Sequence, residues 1–336
     1  MTGSDRPIRI AVVGYGFGRF HVRTLVNLPE ARLVAVADDA RGDELAADAR
    51  RYGFEAYASA TDMIQAEELD ALSVCVSPSR RRDVLAAGLE AGLAMFVEKP
   101  WAAHSAQARE LADLCNASRA PVMVGFSFRF HPAMVALRRL VEGELGPPRL
   151  LTGQYVFGWL PPPDHWTWDP ENGNGFLNEN SCHLFDAVCS LMGKPARVFA
   201  EGGIFAGRPA EEAAAVTLRF RGGAVAALTC GGIGCQAFAD FPCIDLVTER
   251  GQARLIGRNH MWEQLRWARA GDAEVRHLVD PPEQLGTTRY THAFQRFFRS
   301  VRDGTPPPAT IDEGVRAVDL AMAVTESARS GRPVDL

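Results

Sequence analysis

The chain has 336 residues, 47% of them hydrophobic and 23% charged, and no apolar run of bilayer-spanning length, which excludes disordered, collagen-like and membrane-spanning classes. With 36 basic against 41 acidic residues mixed along the chain, the net charge of −5 offers no electrostatic footprint for nucleic acid or an anionic membrane. Only two of the basic residues, Lys99 and Lys194, are lysine. Arginine stays charged whatever surrounds it, so a proton-transfer site is one place where it cannot substitute for lysine.

From Ile8 to about Gly125, short apolar runs alternate with helix-length amphipathic segments. The runs are Ile8 to Val13, Leu33 to Ala37, Ala71 to Val76, Leu93 to Val97 and Val122 to Val124. This βαβ succession predicts a mainly parallel, doubly wound Rossmann-type sheet, on which ligands bind at the carboxyl ends of the strands. The first run leads into Gly14-Tyr15-Gly16-Phe17-Gly18. In such a turn the first glycine allows a tight bend, and the second lets the backbone approach a pyrophosphate at the positive end of the following helix. The third glycine comes one residue early, which predicts either a tighter turn or a phosphate contact from Arg19.

Asp38 ends the second run 24 residues after Gly14, close to the spacing of about 20 expected for a carboxylate that binds the adenosine ribose. Asp39 adds a charge that repels a 2′-phosphate, so the expected cofactor is NAD(H) rather than NADP(H). Arg80-Arg81-Arg82 opens a helix after Ser77-Pro78, and cations in a first turn oppose the helix dipole unless an anion lies nearby. The fifth run ends in Glu98-Lys99-Pro100, a charged pair at the carboxyl edge of the sheet, where the nicotinamide end of a dinucleotide belongs.

From Phe126 the rhythm changes. A helix from about Pro132, a strand at Leu150 to Phe157, a Pro/Trp-rich loop and one helix from about Phe176 to Met192 lead into successive strands. These are Ala196 to Ile204, Ala214 to Phe220, Ala224 to Cys230, Cys243 to Thr248 and Ala253 to Ile256, followed by helices at about Tyr290 to Val301 and Asp312 to Arg329. Consecutive strands predict a mainly antiparallel, open-faced sheet in an α+β domain. The expected domains are therefore 1–125 and 126–336. The polar stretch from Met1 to Pro7 does not read as a signal peptide, and seven cysteines without a C-x-x-C pair read as reduced thiols of a cytoplasmic protein.

If Phe176 to Met192 is one helix, Glu179 and His183 share a face, and the carboxylate can orient the imidazole. A zinc site from Glu179, Cys182 and His183 is disfavoured, because the three lie too close together and no further Cys/His cluster exists. Trp166 and Trp168, in the loop before this segment, suit either a polyol pocket or plain packing. Arg129 suits either substrate contact or a buried ion pair; His21, His131 and His292 read as structural.

The G-x-G turn, Asp38, Ser77-Pro78, Glu98-Lys99-Pro100, Arg129-Phe130-His131-Pro132 and the helix carrying His183 and Asp186 together resemble the Gfo/Idh/MocA family of sugar and cyclitol oxidoreductases. The resemblance extends to the terminal Ser327 to Val334. It implies cofactor contacts from Gly14, Tyr15, Gly16, Phe17, Gly18, Asp38, Ser77, Pro78, Glu98 and Lys99, with Lys99 beside the reacting carbon. His183 is implied as the acid or base on the substrate hydroxyl, with Glu179 standing where the family usually has aspartate, and Arg129 near the entry of the substrate domain. The expected activity is hydride transfer between NAD(H) and a secondary alcohol or ketone of a sugar, sugar derivative or cyclitol, in a homodimer or homotetramer. An NAD-recycling glycoside hydrolase and a cofactor-binding sugar sensor are the alternatives.

Overall fold

The computed structural model describes residues 6–279 and 282–336. By their contacts they form two compact units. The first comprises residues 6–102, 106–125 and 290–315; the second comprises residues 103–105, 126–279, 282–289 and 316–336. The segment Tyr290–Val315, which sequence reading assigned to the second domain with the rest of 126–336, thus clusters with the first unit. The reason is packing: Phe294 and Phe297, both fully buried, pack against Phe96, the first tilted and the second edge-on, and Val124 donates its backbone N–H to Ala309 at 3.0 Å. Burying a phenylalanine contributes roughly 1.5–3 kcal/mol, so this aromatic cluster outweighs proximity along the chain.

The first unit contains β1 (Ile8–Val13), α1 (Tyr15–Leu25), β2 (Ala31–Ala37), α2 (Gly42–Tyr52), β3 (Glu55–Tyr57), α3 (Ala60–Ala66), β4 (Ala71–Val74), α4 (Arg81–Glu90), β5 (Ala94–Val97), α5 (Ser105–Asn116) and β6 (Val122–Val124). All pairings are parallel, in the order β3-β2-β1-β4-β5-β6. β4, β5 and β6 are buried at every position, as expected of parallel strands covered on both faces. The order reverses between β1 and β4, the switch point where an open α/β sheet binds ligands.

The second unit contains α6 (Pro132–Glu142), β7 (Pro148–Val156), α7 (Phe176–Glu179), α8 (Cys182–Met192), β8 (Pro195–Gly203), β9 (Ala213–Phe220), β10 (Val225–Gly231), β11 (Cys243–Thr248), β12 (Gly251–Arg258), β13 (Met261–Arg269) and β14 (Arg276–Val279). The chain ends with α9 (Pro282–Asp303), α10 (Ile311–Ser330) and β15 (Val334–Asp335). Nine strands form one sheet, antiparallel except for β7 beside β10. Along β9, buried and exposed residues alternate, so Ala214, Val216, Leu218 and Phe220 face the core and the other face is open. The core helix is α8, in which every residue except Ser190 is buried.

Candidate active site

The glycine turn is built as a dinucleotide cradle. Gly14 has φ of +92°, and a Cβ there would lie 2.9 Å from the Cys75 carbonyl, so only glycine fits. Beyond it, α1 opens with no acidic residue in its first turn and no cap from the residue before it, leaving the amide N–H groups after Tyr15 for an anion. Outside its own helix and chain neighbours, a Cβ at Gly16 would meet, among the described residues, only the Arg41 side chain, at 3.6 and 3.8 Å, so this backbone is otherwise open to approach. Gly18 lies inside α1, where a Cβ would meet Val12 Cγ1 at 2.8 Å. Gly18 therefore lets the helix pack onto the sheet, the role of the last glycine in the usual fingerprint, taken one residue early. Arg19 is exposed, with its guanidinium 5.5 Å from the Phe20 ring centre.

Asp38 is fixed by backbone donors: its Oδ2 accepts from Tyr15 N–H at 2.6 Å and its Oδ1 from Ala40 N–H at 2.9 Å. Carboxylate oxygens have further lone pairs, so both can still accept ribose hydroxyls. The Tyr15 ring is buried and its hydroxyl donates to Asp48, and burial first, then that carboxylate, pushes the phenol up. Phe17 is exposed, with its ring against Phe20 and Tyr290. Ser77 precedes the short 3-10 turn Pro78–Arg80 after β4, and its carbonyl accepts the Arg80 N–H at 3.0 Å.

The three arginines that follow each meet an acceptor. Arg80 pairs with Asp39; Arg81, fully buried, donates to the carbonyls of Trp101 at 2.7 Å, Val76 at 3.0 Å and Pro100; Arg82 pairs with Glu110 at 2.7 Å on the surface. Burial pulls the Arg81 guanidinium down to about 10. Past β5, Glu98 is buried and Lys99 half-buried, with Glu98 Oε2 accepting the Lys99 backbone N–H at 3.1 Å.

In the second unit, the expected single helix is two. α7 ends at Glu179 and α8 begins at Cys182; between them Ser181 N–H bonds Phe176 O, five residues back, at 3.2 Å. This bond, one residue longer than the α-helical one, breaks the regular i,i+4 ladder on which the shared face of Glu179 and His183 was based. Glu179 is buried and accepts from the Asn180 side-chain amide. His183 is buried and stacks on Phe128 at 4.7 Å, with Tyr155 edge-on. The Cys182 thiol is turned onto the Glu179 carbonyl, and among the described residues no His/Cys/Asp/Glu cluster could hold a metal.

Of the two readings of Arg129, the structure displays the ion pair. Its guanidinium makes a two-pronged bond to Asp186 at 2.7 and 2.5 Å, with both side chains at most 2% exposed. Trp168 is packed in the core and gives its indole N–H to the Pro162 carbonyl at 2.9 Å, whereas Trp166 is 39% exposed.

Residues 8–126 match the family described as "Oxidoreductase family, NAD-binding Rossmann fold", and residues 134–254 match the "GFO/IDH/MocA C-terminal domain". The chain belongs to the Gfo/Idh/MocA oxidoreductase family. Its first unit is an NAD-binding domain, and the open N-terminus of α1, the cradle at Gly14 and the fixed Asp38 fit that cofactor. The chain is 26% identical to D-apiose dehydrogenase of Paraburkholderia graminis, across 100% of this chain and 91% of that protein. It is likewise 26% identical to myo-inositol 2-dehydrogenase of Thermotoga maritima, across 98% of each. In fold it is similar to levoglucosan dehydrogenase in complex with NADH and levoglucosan, with a TM-score of 0.88, 20% identity and coverage of 98% and 99%.

Within this Gfo/Idh/MocA oxidoreductase, sequence reading missed His21, Ser73 and Arg81 as groups that converge on the ends of β4 and β5. Their signal was weak, because an isolated histidine or serine in an apolar pattern announces no partner until the sheet order is known. Among the described residues no helix is long and apolar enough to cross a membrane.

Proposed function

We propose that this oxidoreductase transfers hydride between a nicotinamide and a secondary alcohol or ketone of a sugar, sugar derivative or cyclitol. The observation that carries the reading is Lys99, one of two lysines in the chain, at the carboxyl end of β5 in an NAD-binding sheet. When bound, NAD+ accepts hydride at nicotinamide C4. Lys99 donates a hydrogen bond to the substrate oxygen and stabilises the alkoxide charge as the C–H bond breaks. His183 takes the hydroxyl proton, and its stacking on Phe128 fixes the imidazole plane for that transfer. The exposed face of Trp166 offers an apolar surface to sugar C–H groups. The names of the D-apiose and myo-inositol dehydrogenases support a polyol substrate.

The open face of the nine-stranded sheet, lined by Thr152, Gln154, Thr217 and Thr229, is the surface we assign to self-association as a homodimer or homotetramer. Light scattering checks that assignment. The function is tested with the purified enzyme, NAD+ and a panel of sugars, sugar acids and cyclitols. A steady rise in NADH absorbance supports the dehydrogenase. Product release without net NADH identifies an NAD-recycling hydrolase instead, and ligand binding without either identifies a sensor.

A further inference from the structure

We propose that His21 is a positioning residue for Lys99, acting through Glu98, and that α1 thereby links the cofactor turn to the lysine. This rests on the reading of Lys99 above. His21 lies in α1 three residues after Gly18 and is fully buried. Its Nδ1 is 2.7 Å from Ser73 Oγ on β4 and 3.3 Å from Cys75 Sγ, and its Nε2 is 2.9 Å from Glu98 Oε1. Phe96, Tyr290 and Phe294 close around the ring, with centroids 5.5, 4.6 and 5.2 Å away. A neutral imidazole donates from only one nitrogen, whereas the imidazolium donates from both. Burial opposes that charge, but the Cys75 and Glu98 contacts outweigh it and push His21 up to about 10.

Glu98 is thus held on two sides. His21 grips Oε1, and Gly125 backs the same group so tightly that a Cβ there would lie 3.0 Å from Oε1 and 3.2 Å from Cδ. The other oxygen, Oε2, receives the backbone N–H of Lys99. One residue further on, Arg81 holds the carbonyls of Pro100 and Trp101. The backbone on both sides of Lys99 is therefore pinned by buried charged groups. A structural role alone does not require this, because an apolar pair of similar volume fills such a space without the desolvation penalty of two charges. What the charged pair adds is direction: a carboxylate in one orientation holds one N–H. Because α1 also carries the glycine turn, displacement of that helix is transmitted to the lysine.

The test exploits the two lysines. In a Lys194→Arg background, reductive methylation with 13C-formaldehyde labels Lys99 and the α-amino group alone. The labelled apo protein is compared by NMR with its His21→Gln and Ser73→Ala variants, and unlabelled proteins are assayed for turnover and NADH binding. We expect the Lys99 resonance to move in His21→Gln, kcat to fall at least tenfold, and the NADH Kd and substrate KM to stay within twofold, with Ser73→Ala smaller in the same direction. An unmoved Lys99 resonance, or a loss confined to NADH affinity, overturns the proposal. If His21→Gln does not fold, Ser73→Ala decides by the same criteria. A Lys99 resonance that moves while Lys99→Met retains full turnover upholds the link and sinks the role of Lys99.

Discussion

The Arg80 guanidinium grips the Asp39 carboxylate through two hydrogen bonds of 3.0 and 2.6 Å, across the carboxyl ends of β2, β1 and β4. Asp39, which by sequence alone repels a 2′-phosphate, therefore stands with its charge offset, and the arginine bond first of all holds its carboxyl below the usual range. Both groups are more than half exposed, so the pair adds little stability. Asp39→Ser releases Arg80 next to Asp38, and a charge-assisted bond to a 2′-phosphate is worth about 1.5–3 kcal/mol. We expect NADP+ affinity to rise about tenfold with NAD+ affinity changing little, as measured by fluorescence titration of the variant.

Lys99→Arg keeps the positive charge but replaces a compact ammonium with a larger planar guanidinium that cannot set its donor at the same point beside the substrate oxygen. Turnover is expected to fall by about 10²-fold or more, with the melting temperature and NADH binding unchanged. Lys194 is exposed in the turn after α8, and Lys194→Arg leaves all three unchanged. Equal turnover in the two variants would contradict the role given to Lys99.

Arg129 and Asp186 are a buried pair, so removing one strands the other. Arg129→Met or Asp186→Leu should lower unfolding free energy by about 3–5 kcal/mol, whereas the double apolar variant Arg129→Met/Asp186→Leu recovers much of it. Urea denaturation of the single and double variants checks this.

His21 also sets a pH dependence of stability. Its folded pKa of about 10 lies above the ordinary 6.5, so the folded state binds the proton more tightly. The stability it contributes is complete below about pH 6.5 and is lost as pH rises through the folded value. Denaturation midpoints of wild type should fall between pH 7 and pH 10 more steeply than those of His21→Gln.

Gly18→Ala drives a methyl against Val12 in a parallel core and is expected to cost about 1–3 kcal/mol. Because α1 must shift to relieve the clash, NADH affinity falls as well; thermal melts with and without NADH separate the two effects.

Helices fared differently from strands in their legibility. The strands from β1 to β6 that carry strong apolar runs were readable, while the short edge strand β3 and the Trp- and Arg-rich β13, mostly half-buried beside the edge strand β14, were not, because neither alternates cleanly. The segment after Phe176 has helical composition throughout, and only its packing reveals the break at Asn180-Ser181. Asp38 and Lys99 were legible as candidates because each follows a strand whose carboxyl end is where parallel sheets bind ligands. Arg129 was ambiguous for the opposite reason, since its use depended on Asp186, 57 residues away.

The sequence by itself determined the two-part architecture, the glycine cradle, the carboxylate at the end of β2 and the lysine at the end of β5. Each is encoded in residues adjacent along the chain, in local periodicity and turn chemistry. Only the tertiary structure decided that Gly18 serves packing, that Arg80 holds Asp39, that Tyr290–Val315 joins the first unit, and that His21 stands behind Glu98, 77 residues away. Those are pairings of buried or charged groups brought together by sheet order, and no local pattern names the partner that a buried polar atom will find.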